Sequence, residues 1–165
     1  LSALVLSPLN KQEYLWSKIV SLTILSTVEV GIMVGVPLLY FYYSQGMTLP
    51  NLPVLLVGVV ILNLFLTVFG IGLAVRYRKI TDYLVPIIMV MIFLQVPILY
   101  YSRILESPVL LAIPSSAPIM IFQGAFEELS LWQWVYAIGY NGLLLAVLIP
   151  WAARAYRKHI VSKMR

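Results

Sequence analysis

The sequence has no cysteine, a single histidine and little charge. Without cysteine there is no disulfide framework and no thiolate metal site. The lone histidine, His159, lies in a basic stretch near the end of the chain, so no HExxH or other multi-histidine metal motif exists. Only 10% of residues are charged, where soluble domains carry about a quarter. No phosphate-cradling GxxxxGK[ST] occurs, so any ATPase that works with this protein is expected to be a separate chain. There is no low-complexity tract, and residues 1–6 lack the charged start and cleavage pattern of a signal peptide. The chain begins at Leu1 without an initiator methionine. That start reads as a piece of a longer protein, although processing or trimming would give the same beginning.

What is abundant is apolar surface. Of 165 residues, 62% are hydrophobic. Such a chain is read as a membrane protein, with lipid as its main solvent. Four segments are long and apolar enough to cross a bilayer, which takes about 20 residues. They run from about 19 to 42, 54 to 75, 83 to 101 and 132 to 153. The fold class is therefore all-α, a polytopic membrane bundle. Pro37, Pro86, Pro97 and Pro150 lie within or near the ends of these spans, and each predicts a kink or a helix boundary.

The cations set the orientation. Lys11 and Lys18 precede the first span, and Arg76, Arg78 and Lys79 separate the second from the third. Arg154, Arg157, Lys158, Lys163 and Arg165 follow the fourth, in a basic tail over 154–165. With four crossings all of these share one side, and Arg103 stands alone on the other. The positive-inside rule makes the crowded side cytoplasmic. The net charge of +5 is explained by this asymmetry, and nucleic acid is not an expected partner. Aromatic residues fall where interfacial belts belong, at 40–43, 100, 101, 132 and 134 outside and at 14, 16, 77, 83, 151 and 156 inside.

Residues 104–131 are apolar and nearly long enough to span, but Pro108, Pro114 and Pro118, with Ser115 and Ser116 between them, break any continuous helix. A fifth crossing would also put the tail cations outside. The segment is expected to be two short helical pieces dipping into the outer leaflet, with an ordinary interfacial loop as the plainer alternative.

Before the first span stands "LSPLNKQEYLWSK". Ser7 suits an N-cap and Pro8 the first helical position. A short cytoplasmic helix over 7–18 is expected, polar at its tip and running into the first span. A solvated helix start with interfacial anchors would look the same.

Chemistry-bearing residues are sparse. Glu127 and Glu128 are adjacent, like the paired glutamates of intramembrane CAAX-type proteases, but the histidines such a site needs are missing. No catalytic residue and no metal site is assigned. Glu29 is different, because it falls near the middle of the first span. An ionisable group at that depth costs about 3 kcal/mol on insertion scales and marks a functional candidate. Thr27, Gly31 and Gly35 form a small-residue stripe suited to close helix packing, and Glu29 points away from it. Glu29 is expected to face a substrate cavity, a dimer partner or a polar residue on another helix. Asn63 and Thr67, one turn apart in the second span, are the candidate partners. The competing reading is a neutral, hydrogen-bonded structural glutamate.

The stretch "LSALVLSPLNKQEYLWSKI" resembles the segment after the second transmembrane helix in permeases of the type 2 ABC exporter (ABC-2) superfamily. "VRYRKITDYLVP" and "ESPVLLAIPSSAPIMIFQGAF" are similar to stretches of fluoroquinolone-export permeases. The order and spacing of these motifs cover nearly the whole chain. The resemblance implies six spans in the complete protein, of which these four would be the third to sixth. It implies that Ser7, Pro8, Leu9, Asn10, Lys11, Gln12 and Glu13 form the element that docks on the ATPase. It also implies that the segment with Glu106, Ser107, Pro108, Pro114 and Pro118 is a re-entrant pair before the last span. The expected function is the transmembrane subunit of an ATP-driven exporter of amphipathic molecules, with a drug such as a fluoroquinolone as one candidate substrate, in a bacterial or archaeal cell membrane. ATP and magnesium would sit on the ABC ATPase partner, no cofactor is expected in this chain, and the permease would work as a homodimer or heterodimer. A non-transporting membrane scaffold or assembly protein is the alternative.

Overall fold

The computed structural model describes residues 11–77, 79–105 and 107–161, and these form helices joined by short turns. Helix α1 spans Lys11–Gln45, α2 spans Leu52–Ala74, and α3 spans Ile80–Gln95, followed after a turn by the single-turn α4, Ile98–Tyr101. A 3₁₀ turn at Pro108–Ala112 and helix α5, Ser116–Gln123, precede the long α6, Leu131–Val161. Four stretches are long and apolar enough to cross a membrane: Glu13–Gln45, Leu52–Ala74, Ile80–Tyr101 and Leu131–Lys158.

Local sequence explains most boundaries. Asn51 caps α2, its side chain accepting from the Val54 N–H at 3.4 Å, and Pro53 follows in the first turn, where a missing N–H costs nothing. Ser130 and Gln133 form a capping box for α6. The Gln133 side-chain oxygen accepts from both the backbone N–H and the hydroxyl of Ser130, each at 2.8 Å. Of the four span prolines, only Pro97 marks a boundary, between α3 and α4; Pro37, Pro86 and Pro150 lie inside helices that continue through them. The C-terminal basic stretch is not a separate tail over the described residues, since α6 runs on through Arg154, Arg157 and Lys158 to Val161. After α4 the chain turns through Arg103 at φ 57°, with Ile104 N–H bonded to Leu99 and Arg103 N–H to Tyr100. This left-handed C-terminal cap is one that glycine usually fills.

The first residues of α1, the end of α2, the start of α3 and the end of α6 share one end of the bundle, called here the basic end. Arg76 at the close of α2 places its guanidinium 4.7 Å from the ring centre of Trp151 on α6. That ring stacks on Phe69 at 6.0 Å and lies directly on Gly72, where a Cβ would come within 2.0 Å of it. Leu15 and Ile19 of α1 are buried at the same end with Val68 of α2 and Ala152 of α6.

At the opposite end α5 is wedged between α2 and α6. Ala117, Met120 and Ile121 of α5 are buried, with Ala137 of α6 against them. The α5 backbone comes so near Gly58 of α2 that a Cβ there would stand 3.2 Å from the Phe122 nitrogen. Asn51 N–H also bonds the Ala125 carbonyl at 2.8 Å. In lipid an apolar side chain gains little by leaving tails for another helix, so close backbone approach and internal polar bonds must do more of the specifying. The outward faces agree with that solvent: Ile24, Val28, Ile32, Met33 and Val36 of α1 and Val85, Met89 and Ile92 of α3 are all exposed.

Candidate functional site

Helices α1 and α2 are antiparallel neighbours and meet near their midpoints through a polar seam. The Asn63 amide, on a buried residue, donates to the Thr27 hydroxyl at 3.3 Å. The Thr27 hydroxyl in turn donates to the Thr23 carbonyl at 2.7 Å, back along its own helix. Each group thus has a role that fits its donor and acceptor capacity. The Thr23 hydroxyl is buried beside this seam and has no partner among the described residues.

A groove opens on each side of the seam. Toward the end opposite the basic one, about 410 Å³ of space is lined by Gly31, Gly35 and Leu38 of α1 and by Leu52, Leu55 and Val59 of α2. A Cβ on Gly31 or Gly35 would meet nothing within 4 Å. Of the small-residue stripe expected to pack closely, Thr27 meets Asn63, while Gly31 and Gly35 are not covered by any described residue of this chain. Toward the basic end, about 370 Å³ is lined by Leu22, Leu25, Ser26 and Glu29 of α1, by Leu66, Thr67, Gly70, Ile71 and Ala74 of α2, and by Tyr83 of α3.

Glu29 is exposed and makes no hydrogen bond or ion pair among the described residues. The hydrogen-bonded structural glutamate is not what these residues form. Of its two expected partners, Asn63 is committed to Thr27, while Thr67 shares the groove with the carboxylate. Among the described residues, no lysine or arginine lines the groove.

The proline-broken segment is held by hydroxyls. Ser116, fully buried, has its hydroxyl 2.7 Å from the Tyr136 hydroxyl and 2.7 Å from the carbonyls of Leu111 and Ile113. Tyr136 also donates to the Leu111 carbonyl. Tyr101 donates to the Ser116 carbonyl at 2.7 Å, and Tyr140 to that of Ala112 at 2.7 Å. Ser115 bonds the Leu94 carbonyl beside the α3 break. One assignment satisfies the chain of protons: Ser116 gives its proton to Tyr136, Tyr136 gives its own to Leu111, and Ile113 is served by the Ser116 backbone N–H at 3.0 Å. Two short helical pieces are thus present where the prolines predict them. Ser107 precedes the 3₁₀ turn, Pro108 opens it, Pro114 lies in the link and Pro118 is buried in α5. Glu106 lies outside the described residues.

Sequence reasoning missed this tyrosine clamp. It placed Tyr101 in an interfacial belt, but α4 turns that ring inward onto Ser116. The available signal was Tyr136 and Tyr140, one turn apart in the last span, with Ser115 and Ser116 in the segment before it. Trp134, also assigned to the belt, packs beside Gly124.

Of the expected coupling element, Ser7, Pro8, Leu9 and Asn10 lie outside the described residues. Lys11 and Gln12 are the first described residues of α1, and Glu13 in its first turn is exposed.

The fold and its apolar exterior define a multi-pass α-helical membrane protein. A family model described as the fluoroquinolones export permease protein family matches residues 1–164. Two curated relatives from Mycobacterium tuberculosis are each 30% identical over 166 residues, covering 99% of this chain and 67% of theirs. They are Fluoroquinolones export permease protein MT2761 of strain CDC 1551 / Oshkosh and Fluoroquinolones export permease protein Rv2687c of strain ATCC 25618 / H37Rv. No solved structure gives a significant match. The chain belongs to the fluoroquinolones export permease protein family.

Proposed function

We propose that this chain is the transmembrane part of an ATP-driven ABC-2 type exporter. It works as a permease dimer with separate ATPase subunits that bind ATP and magnesium. The basic end faces the cytoplasm, by the positive-inside rule, and the segment at 104–131 dips into the outer leaflet. The substrate is an amphipathic molecule, and the relatives named for fluoroquinolone export favour a drug-sized one.

The observation that carries this reading is the continuity of α1. Its 35 residues make a rod about 50 Å long, against about 30 Å of hydrocarbon. The polar first turns therefore project beyond the bilayer on a span that does not break. Just inside that tip, Leu15 and Ile19 grip α2 and α6. A push on the tip would tilt three helices together, which is what a permease driven by a partner's nucleotide cycle requires.

In the complete protein, Lys11→Glu with Glu13→Lys should weaken copurification of the ATPase and leave membrane insertion intact. Leu15→Ala should cost about 2–3 kcal/mol of packing and uncouple ATP hydrolysis from efflux while the ATPase still binds. Unchanged docking and coupled efflux in both variants would remove the lever reading. A complete protein that never supports ATP-dependent efflux would favour a membrane scaffold.

A further inference from the structure

We propose that the groove around Glu29 is a binding site for organic cations, with the carboxylate taking the charged nitrogen of an amphipathic molecule. The inference rests on the exporter reading only for the fate of that molecule; the binding itself follows from the groove.

Three observations carry it. First, Glu29 sits near the middle of α1, opens into a cavity of about 370 Å³, and has no partner among the described residues. A carboxylate at such depth is retained only where something compensates it. Second, no lysine or arginine lines the groove among the described residues, so a positive partner for the carboxylate is left for a bound molecule to supply. Third, the rest of the lining suits an amphipathic cation. Leu22, Leu25, Leu66 and Ile71 offer apolar walls, and the Tyr83 ring stands at the end nearer the basic side. Thr67 adds a hydroxyl within the same wall. The volume is at the small end of the range for drug-sized ligands, about 300–1,000 Å³. An ammonium group can meet the carboxylate while its apolar body lies along the leucines. The groove is open laterally, so a lipophilic cation can enter from the leaflet at the basic end.

The test uses the full-length permease in lipid nanodiscs and two probes: a fluorescent lipophilic ammonium compound and its uncharged carbon isostere. Wild type should bind the ammonium probe at least ten-fold more tightly than the isostere. Glu29→Gln should abolish that preference and leave isostere binding and thermal stability as in wild type, while Glu29→Asp should keep part of it. Gly70→Leu, which fills the groove from α2 and leaves the carboxylate in place, should weaken both probes. Gly35→Leu, in the other groove, should weaken neither. Equal binding of the ammonium probe by wild type and Glu29→Gln overturns the proposal, as does insensitivity to Gly70→Leu. A helix or subunit outside this chain that supplies a lysine or arginine to Glu29 would show itself as no charge preference in wild type, which also overturns it. ATP-dependent efflux is measured beside binding. Efflux of neutral substrates that survives while cation preference is absent would sink this site but keep the exporter. Cation binding without ATP-dependent efflux of any substrate would do the reverse.

Discussion

Replacing Gly72 with alanine isolates how this bundle is held where lipid supplies no hydrophobic drive. The added Cβ would stand 2.0, 2.6 and 2.8 Å from three carbons of the Trp151 ring, where ordinary contact begins at 3.4 Å. The ring must therefore retreat by roughly 1.4 Å or swing away. Either movement disturbs its stack on Phe69 and its cover by Arg76. The stack is worth about 0.5–1.5 kcal/mol, and the cation–π contact about 0.5–1 kcal/mol. Residual strain or an imperfect refill adds about 1 kcal/mol. Against this, alanine in place of a mid-helix glycine returns about 1 kcal/mol. The net expectation is a loss of about 1.5 kcal/mol, a fall of roughly 3–6 °C in the unfolding midpoint for a chain of this size. Thermal unfolding in detergent, followed by tryptophan fluorescence, measures it. The sign of the effect should depend on the ring. In a Trp151→Leu background the obstruction is gone, and Gly72→Ala should stabilise by about 0.5–1 kcal/mol. Equal destabilisation in both backgrounds would show that Gly72 is not there to admit Trp151.

Two further outcomes follow from the opposite end of the molecule. Tyr136→Phe should cost only about 1 kcal/mol, because the Ser116 hydroxyl is free to turn its proton to the Leu111 carbonyl at 2.7 Å; Ser116→Val, which removes the hydroxyl and adds bulk at a fully buried position, should cost about 2–4 kcal/mol, and a reversal of that order by thermal unfolding would reject the proton assignment. For topology, single cysteines at the exposed Ser44 and Ser130 should label with a membrane-impermeant reagent in intact cells and one at the exposed Ser17 should not; labelling of all three would refute the four-crossing arrangement.

Much of the architecture was written in composition and spacing. The four spans were legible because hydrocarbon demands about 20 apolar residues and tolerates few charges. Their observed limits differ from the expected ones by a few residues at most starts, since helices continue past the lipid edge into polar turns. That residues 104–131 form two short helical pieces and not one long helix was also legible, because proline removes a backbone donor. Yet the same rule did not single out Pro97 from Pro37, Pro86 and Pro150, which stay within helices. Glu29 stood out from its depth alone. That Asn63 would bond Thr27 instead, leaving Glu29 with Thr67 and Tyr83, could not be read from one-dimensional spacing.

The sequence by itself determined the apolar exterior, the number of helices long and apolar enough to cross a membrane and the charge gathered at one end, because each depends on residue type summed along a segment. The tertiary structure decided which faces meet. Only the packing places Tyr101 and Tyr136 on Ser116, lays Trp151 on Gly72, and leaves Gly31 and Gly35 facing open space. A hydroxyl or a glycine has the same local meaning wherever it occurs. Its role is fixed by the one partner that three-dimensional proximity brings within hydrogen-bond or van der Waals reach, and that partner lies tens of residues away in the chain.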